Sequence, residues 1–354
     1  MLSPEICRQI LTIGPDWVSP KGGIAQVLNS YSQIYRPFNF IATTKGGGLK
    51  VLKQFVVAVL MFVKKNLGHE IKVVHIHGAS YRSFWRKAMF VVIAKGMGKK
   101  VIYHLHGAEF KTFEGKHPKS VKMVLGWCDM VIVLSNSWKE WMEANLSGVK
   151  TVVVPNIVNF PENPPSIQEK NSKDLNLLFM GALGQRKGIY DLLHVIAEHK
   201  AEWDGRICLY VAGNGEVEKT LKVIKEKALE GIVCYKGWVD GVEKTELLRA
   251  ADVFVLPSYN EGLPISILEA MSYAKPIIST TVGGIPEIVE SEENGFLVNP
   301  GDKDGLYTAI SVLLQDVGMR KRMGEHSLHR VQSHFPERVA QKLTDVYLSL
   351  LPQE

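Results

Sequence analysis

The stretch 255–269, VLPSYNEGLPISILE, contains two carboxylates placed for ligand binding. Pro264 stands where a helix is expected to begin, because its fixed φ suits the first helical position. Glu261 then lies in the loop before that helix, Glu269 lies in its second turn, and Gly262 lets the backbone approach a ligand. A helix N-terminus favours an anion, and carboxylates accept strong hydrogen bonds from hydroxyl groups. The pattern therefore suits a ligand with phosphates and hydroxyls, or else two solvated acidic residues at a helix start.

A second cluster places two cations after a glycine-rich strand end. In the stretch 178–188, LFMGALGQRKG, a strand runs into Gly181 and Gly184, and Arg186 and Lys187 follow in the loop before a helix. Open parallel sheets bind ligands at the carboxyl edge of their strands. The two cations are thus suited to hold a diphosphate and stabilise the charge left on it, with two solvated surface charges as the equally weighted alternative.

Glycines also follow two other predicted strands. The stretch 14–23, GPDWVSPKGG, ends in Gly22 and Gly23 before a helix, where either a bound phosphate or a tight turn favours glycine. It matches neither GxGxxG nor GxxxxGK[ST], so it gives no support to a nicotinamide cofactor or to ATP hydrolysis. Gly213 opens a Gly-Asn-Gly run closer to the dinucleotide fingerprint, but Glu218 occupies the third glycine position.

Two His-x-His pairs end two strands: His75 with His77, and His104 with His106. Alternate strand residues face the same way, so each pair could hold a metal or serve in acid–base chemistry. A metal-dependent hydrolase would need further ligands arranged in an eight-stranded barrel, which the two-halved organisation of the chain does not favour. A packed strand histidine is the commonest outcome, and we retain only His106 as a candidate, because His106 and Gly107 open a loop.

The elements that must position these residues are short apolar runs alternating with helical stretches, a pattern typical of buried parallel strands in an α/β fold. The predicted strands are Gln9–Ile13, Val73–Ile76, Val101–Leu105, Met130–Leu134, Val152–Val154, Asn176–Met180, Ile207–Val211, Ile232–Tyr235, Val253–Leu256 and Pro276–Ser279.

A chain of 354 residues exceeds what one core usually supports, which predicts two domains. The proline-containing, polar stretch 159–173 reads as an exposed linker between domains at 1–158 and 174–336. The last helix, 337–354, has one apolar face to bury.

The composition, 46% hydrophobic and 22% charged, is that of a folded globular protein. The net charge of +6 is scattered, which does not favour a nucleic-acid partner but suits small phosphates or an anionic membrane surface. Four dispersed cysteines predict reduced thiols in a cytoplasmic protein. No signal-peptide pattern is present, and the apolar run 55–63 is far shorter than the ~20 residues of a spanning helix.

Peripheral membrane contact is a further hypothesis. The run 55–63 is flanked by lysines and followed by an aromatic and basic cluster, which suits either an interfacial surface or a core-facing helix with solvated ends. The residues concerned are Lys50, Lys53, Lys64, Lys65, Trp85, Arg86 and Lys87.

Taken together, these residues resemble the retaining glycosyltransferases of family 4, also called glycosyl transferases group 1. That family has the GT-B fold, in which two Rossmann-like domains have parallel sheets facing a central cleft. The resemblance covers nearly the whole chain, and it implies that the last helix, 337–354, crosses back onto the first domain. Its most specific parts are the Glu-x7-Glu motif at Glu261 and Glu269, Arg186-Lys187-Gly188, Gly22-Gly23 and His106.

The resemblance implies roles for individual residues. Glu269 would hold the ribose hydroxyls of a nucleotide sugar, Glu261 would contact the donor sugar, and Lys187 would bind the diphosphate. His106 would orient the donor sugar or the acceptor. The catalytic set is then His106, Arg186, Lys187 and Glu261, and the donor-binding set is Gly22, Gly23, Gly213, Gly262, Leu263, Pro264 and Glu269.

Two positions depart from the family pattern. Many members have an arginine where this chain has Ala182, so that Arg186 would have to supply the missing phosphate cation. The family's Asn-Gly-Val-Asp stretch is altered to Asn156-Ile157-Val158-Asn159, near the junction of the domains.

The implied activity is retaining transfer of a hexose from a UDP- or GDP-sugar to a hydroxyl of a glycan or lipid-linked acceptor, in polysaccharide or glycolipid biosynthesis. Neither a metal nor a cofactor beyond the donor is expected. The alternatives are a non-catalytic nucleotide-sugar-binding protein, or another sugar-nucleotide enzyme on the same fold.

Overall fold

The computed structural model describes residues 1–18, 22–44, 49–161, 174–203 and 205–352. The chain divides into two compact units. Unit 1 comprises Met1–Ile157 and His334–Glu354, and unit 2 comprises Val158–Ser333. Most of the linker predicted at 159–173, from residue 162 onward, lies outside the described residues.

Each unit contains one six-stranded sheet in which every strand pair is parallel. The strands are β1 Ile10–Gly14, β2 Phe40–Ala42, β3 Val73–Gly78, β4 Lys100–Leu105, β5 Met130–Val133, β6 Thr151–Val153, β7 Leu175–Met180, β8 Ile207–Ala212, β9 Val233–Gly237, β10 Val253–Leu256, β11 Ile277–Thr280 and β12 Gly295–Val298. The order is β2-β1-β3-β4-β5-β6 in unit 1 and β12-β11-β10-β7-β8-β9 in unit 2.

Helices connect the strands, as parallel pairing requires. They are α1 Pro4–Gln9, α2 Gly23–Ile34, α3 Leu49–Asn66, α4 Arg82–Gly96, α5 Phe110–Lys116, α6 Pro118–Gly126, α7 Asn136–Asn145, α8 Ile189–His199, α9 Val217–Glu226, α10 Gly241–Ala250, α11 Ile265–Ser272, α12 Ile285–Ile288, α13 Lys303–Gln315, α14 Val317–Val331 and α15 Pro336–Leu348. The final helix, α15, belongs to unit 1 and contacts α2.

The two faces of the unit 1 sheet differ in chemistry. Apolar side chains such as Val74 and Ile76 join a core with residues from α3, α4 and α6. The alternate positions His75 and His77 point the other way, where they meet Tyr31 of α2. Period-two alternation along a strand produces this separation. The apolar face of the sheet therefore packs against α3, α4 and α6, and the polar face packs against α2.

In unit 2 the strand order makes β7 and β10 neighbours although they are far apart in the chain. In a parallel sheet, the loops that leave these two strands emerge at the same edge. The residues of β10 are all buried, which explains its continuous apolar sequence. The sheet thus brings the two predicted ligand loops side by side.

Ten of the twelve strands were predicted from the apolar runs, within one or two residues at each end. The two that the prediction missed, β2 and β12, have three and four residues and lie at sheet edges. The described strands form two six-stranded sheets, so the barrel that a metal-dependent hydrolase would need is not formed. The four cysteines are free. Among the described helices, none combines the length and hydropathy needed to cross a bilayer.

Candidate functional site

The loops after β7 and β10 are held together by backbone hydrogen bonds. Arg186 and Lys187 lie in a 3-10 turn, Gln185–Lys187, directly before α8. The amide of Tyr259 donates to the carbonyl of Arg186 at 2.8 Å, and the Arg186 guanidinium donates to the carbonyl of Asn260 at 3.1 Å. The two cations predicted to bind phosphate are therefore fixed against the loop that carries Glu261.

Gly188 allows this close approach. Its φ is +72°, and a Cβ at this position would lie 2.0 Å from the carbonyl oxygen of Pro257. Residues with a side chain rarely adopt this backbone conformation, and a Cβ cannot lie so close to a carbonyl oxygen, so the neighbouring loop requires glycine here. The turn at Gly188 starts α8 and leaves the side chain of Lys187 directed to the β10 loop.

Lys187 and Glu261 form an ion pair through Oε1 of the glutamate, with the two side chains only 13% and 6% exposed. Ser258 Oγ donates to the same oxygen at 2.7 Å. Within the described part of the chain, Oε2 of Glu261 accepts no hydrogen bond. A buried charge is costly unless it is paired and hydrogen-bonded, and these two partners supply both to Oε1.

Glu269 lies in the second turn of α11, as predicted, and has a different cation. Its Oε1 accepts from Lys244 Nζ of α10 at 2.6 Å. The sequence did not predict that Lys244 pairs with Glu269, because no motif surrounds Lys244 and the contact depends on how α10 packs beside α11. Glu269 therefore has a counter-charge of its own, and no described residue donates to its Oε2.

The start of α11 lies against the loop that follows β11. Pro264 is the N-cap in an extended conformation, one residue before the helical position predicted for it, and it provides no side-chain cap. The carbonyl of Gly262 accepts from the amide of Gly284 at 2.7 Å. Gly262, Leu263 and Pro264 are buried. The helix N-terminus thus lacks a capping side chain, which is the arrangement that favours an anion.

Gly213 has a structural reason to be glycine. It follows β8 with a φ of +152°, and a Cβ there would lie 1.8 Å from the carbonyl oxygen of Gly181. Close packing of the ends of β7 and β8 therefore explains this residue without a ligand. Gly22 and Gly23 lie in unit 1 at the start of α2, where Gly22 has a φ of +127° and both residues are exposed.

His106 also lies in unit 1, directly after β4. Its amide donates to the carbonyl of Gly78 at 2.9 Å, and its Nε2 is 3.0 Å from Nδ1 of His77. Burial lowers the pKa of His106 to about 3, so the ring is neutral near pH 7. The contact with His77 sets the orientation of the His106 ring. From the sequence, His77 was interpreted only as a packed strand residue.

Three further histidines, His75, His77 and His104, pack beside His106 and form with it a buried polar layer. Nδ1 of His75 is 2.6 Å from the hydroxyl of Tyr347 on α15, and Nε2 of His75 is 3.2 Å from Nδ1 of His104. Burial lowers the pKa of His75 to about 3 and also depresses the pKa values of His77 and His104. Ring nitrogens of these three residues lie within 4.8 Å of one another and could hold a metal ion. The expectation that the protein binds no metal therefore stays a prediction.

Comparisons with known proteins agree with this architecture. Residues 162–330 match the family model described as Glycosyl transferases group 1, and residues 31–160 match Glycosyltransferase Family 4. HepE from Anabaena in complex with UDP has a similar structure, with a TM-score of 0.77 and 19% identity over 97% of this chain and 100% of that chain. A likeness at this identity establishes the GT-B fold.

Curated relatives share parts of the sequence. The lipopolysaccharide core biosynthesis glycosyltransferase LpsE of Rhizobium meliloti is 31% identical over 49% of this chain and 49% of its own. The UDP-Gal:alpha-D-GlcNAc-diphosphoundecaprenol alpha-1,3-galactosyltransferase of Escherichia coli is 28% identical over 71% of this chain and 69% of its own. For three of the relatives the match covers 64%, 49% and 63% of their length, so the chain spans about half to two thirds of those proteins.

The chain has the GT-B fold, and in unit 2 the loops after β7 and β10 are joined by hydrogen bonds and an ion pair. The two family models together span most of the chain, which belongs to the group 1 and family 4 glycosyltransferases.

The buried histidines predict a loss of stability in acid. An unfolded histidine takes up its proton near pH 6.5, whereas His75 and His106 do so only at about pH 3 in the folded chain. Their contribution is therefore complete above pH 6.5 and is lost as the pH falls toward 3, at ~1.4 kcal/mol per pH unit for each histidine. Urea unfolding midpoints between pH 7.5 and 5 should fall accordingly.

The variant His104→Gln isolates one member of the layer. It should lower stability at pH 7.5, because it removes the bond to His75, and it should reduce the pH dependence by about one proton. His69→Gln, at an exposed position of unit 1, is the matched control. Equal pH dependence in wild type and His104→Gln would contradict the assignment of a depressed pKa to His104.

Proposed function

We propose that this glycosyltransferase transfers a hexose, with retention of configuration and without a metal, from a UDP- or GDP-sugar to a hydroxyl of a glycan or lipid-linked acceptor. The observation that supports it most is the joining of Arg186, Lys187 and Glu261 on two adjacent loops of unit 2. The names of the two relatives specify a UDP-sugar donor, a diphosphate-linked lipid acceptor and lipopolysaccharide assembly. Polysaccharide or glycolipid biosynthesis is the proposed setting.

The proposed donor contacts use the atoms that remain available. Lys187 and the exposed Arg186 would hold the diphosphate, with Arg186 supplying the cation absent at Ala182. Backbone amides at the start of α11 would add donors to the same phosphates. Oε2 of Glu261 would accept from a hydroxyl of the donor sugar, and Oε2 of Glu269 would accept from the ribose.

The proposed reaction is a front-face substitution. The acceptor hydroxyl attacks the anomeric carbon from the side on which the diphosphate leaves, the bond to phosphate oxygen breaks, and that oxygen takes the acceptor's proton. No protein nucleophile is needed. The residues of this chain position the reactants and stabilise charge on the departing diphosphate, and His106 orients the sugar or the acceptor.

Lys187→Ala should lower kcat/KM by about 10²–10³, equivalent to ~2.7–4 kcal/mol, because it removes a charge-stabilising group. The assay is release of nucleoside diphosphate that depends on added acceptor. Lys219→Ala, at an exposed lysine of unit 2 that is also paired with a glutamate, is the matched control. A loss below tenfold would argue against this role.

Because Lys187→Ala leaves Glu261 buried without its cation, some activity could be lost through instability. Thermal melts of Lys187→Ala and of the double variant Lys187→Ala/Glu261→Gln separate the two effects. The double variant should regain stability without regaining activity.

Glu269→Ala should weaken donor binding about 10- to 100-fold, the loss expected for a hydrogen bond to a charged group. Calorimetry with UDP- and GDP-sugars measures this directly, and kcat at saturating donor should change less. Glu216→Ala removes an exposed, lysine-paired carboxylate of the same unit and should leave affinity unchanged. An unaltered dissociation constant in Glu269→Ala would refute the ribose assignment.

Full activity is expected in excess chelator, because Arg186, Lys187 and the α11 N-terminus replace the metal that other transferases place at the diphosphate. Acceptor-dependent turnover is measured with EDTA and again after adding magnesium or manganese. Strict dependence on either ion would show that the cations of the chain are insufficient.

Ala182 motivates the second candidate, a non-catalytic nucleotide-sugar-binding protein, since one expected phosphate cation is missing. That protein would bind donor in calorimetry and release no nucleoside diphosphate with any acceptor. Another sugar-nucleotide enzyme on the same fold would instead convert the donor without an acceptor.

A further inference from the structure

Three neighbouring helices of unit 1 contain charges of only one sign. The sequences of α3, α4 and α6 include ten lysines and arginines and no aspartate or glutamate. The helices lie side by side, α3 against α4 and α4 against α6. Their inner sides contribute Phe62, Phe84 and Val124 to the core beneath them. Their outer sides therefore form one continuous layer, called here the three-helix face.

The outer side of this layer is apolar as well as basic. On α4, Trp85, Met89 and Val92 follow at helical spacing and are 42%, 37% and 48% exposed. Single exposed apolar residues are ordinary, but a set shared by adjacent helices indicates a binding surface. The other exposed apolar residues of this layer are Val56, Val57, Leu60 and Met61 on α3 and Met123 on α6.

Exposed basic residues surround these side chains. In the part of the chain that the structure describes, Lys53, Lys64, Arg82 and Lys119 are exposed and none of them forms an ion pair with a carboxylate. Lys87, which the sequence reading included in this cluster, is instead buried and bonded to Thr43 Oγ1. These four basic side chains are thus available to an external anion, whereas Lys95 of α4 pairs with Asp129 at 2.8 Å.

Exposed apolar residues of unit 2 have different surroundings. Leu221 on α9 and Val242 on α10 are 44% and 74% exposed, yet each of those helices contains glutamates as well as basic residues. The three-helix face thus differs from α9 and α10 in having charge of a single sign beside its exposed apolar side chains, and these two helices supply matched control positions.

We infer that the three-helix face binds the surface of an anionic lipid bilayer. Aliphatic and aromatic side chains would enter the headgroup region, and the lysines and arginines of the face would meet lipid phosphates. A second copy of this chain is a poorer occupant, because pairing two such faces would oppose like charges. The link to a lipid-linked acceptor rests on the proposed function, whereas the binding itself does not.

The test is co-sedimentation of the full chain with vesicles of phosphatidylcholine containing 30% phosphatidylglycerol. We expect the protein to bind these vesicles at 0.1 M salt and to bind at least tenfold more weakly to pure phosphatidylcholine vesicles or in 0.5 M salt. The variant Leu60→Asp/Val92→Asp, altered at two exposed positions of the face, should bind at least tenfold more weakly than wild type.

The control variant Leu221→Asp/Val242→Asp changes the net charge by the same amount on unit 2 and should bind within twofold of wild type. Equal losses in both variants would show a nonspecific effect of net charge and would overturn the inference. So would the absence of binding at low salt, or equal binding to neutral vesicles. Donor affinity, measured without vesicles, should be the same in all three proteins, so failure of membrane binding is distinguishable from failure of the proposed transferase activity.

Discussion

The ion pair between Lys187 and Glu261 is the interaction on which the proposed donor site depends. Both side chains are largely buried, so each charge has lost water and is compensated by the other and by Ser258. The pair exists because β7 and β10 are neighbours and because Gly188 has no side chain to separate their loops. A diphosphate would meet a lysine already held in position, and little ordering would remain to be done on binding.

Unit 1 handles buried polar groups in the opposite way. Its histidines have no carboxylate partner in the described structure, so desolvation decides their state and the rings remain neutral. Hydrogen bonds to one another and to Tyr347 satisfy part of their polarity. Because Tyr347 lies on α15, these bonds also attach the last helix to the sheet of unit 1. The cluster of unit 2 is thus buried as a charged pair, whereas the histidines of unit 1 are buried in the neutral state.

The sequence was sufficient to predict the central strands and the loops that follow them, because both depend on local residue patterns. Buried central strands such as β10 are continuous apolar runs, and loops with Arg186, Lys187 and Glu261 follow them directly. The edge strands β2 and β12 were missed because three or four residues carry too little pattern to distinguish them from loops.

The sequence pattern also could not predict side-chain contacts between elements that are far apart in the chain. Glu269 was assigned a ligand role, but its pairing with Lys244 depends on the packing of two helices, which the spacing along the chain does not encode. Lys87 was grouped with Trp85 and Arg86 in a cluster that suits an interfacial surface, yet its side chain is buried and donates to Thr43. The rotation of α4 about its own axis decides which of its basic residues are exposed to water. Phe84 and Phe90, which pack into the core, fix that rotation.

The neutrality of His106 bears on the fate of the acceptor's proton. With a pKa of about 3, this imidazole would hold a proton at pH 7 only at a cost of about 5 kcal/mol. A group with so little affinity for the proton is a poor general base, whereas the proposed role of orienting a hydroxyl needs only a hydrogen bond from a ring that His77 holds in place. Glu261 is engaged by Lys187 and Ser258. In the proposed reaction the departing diphosphate oxygen is consequently the better acceptor for that proton, as front-face substitution requires.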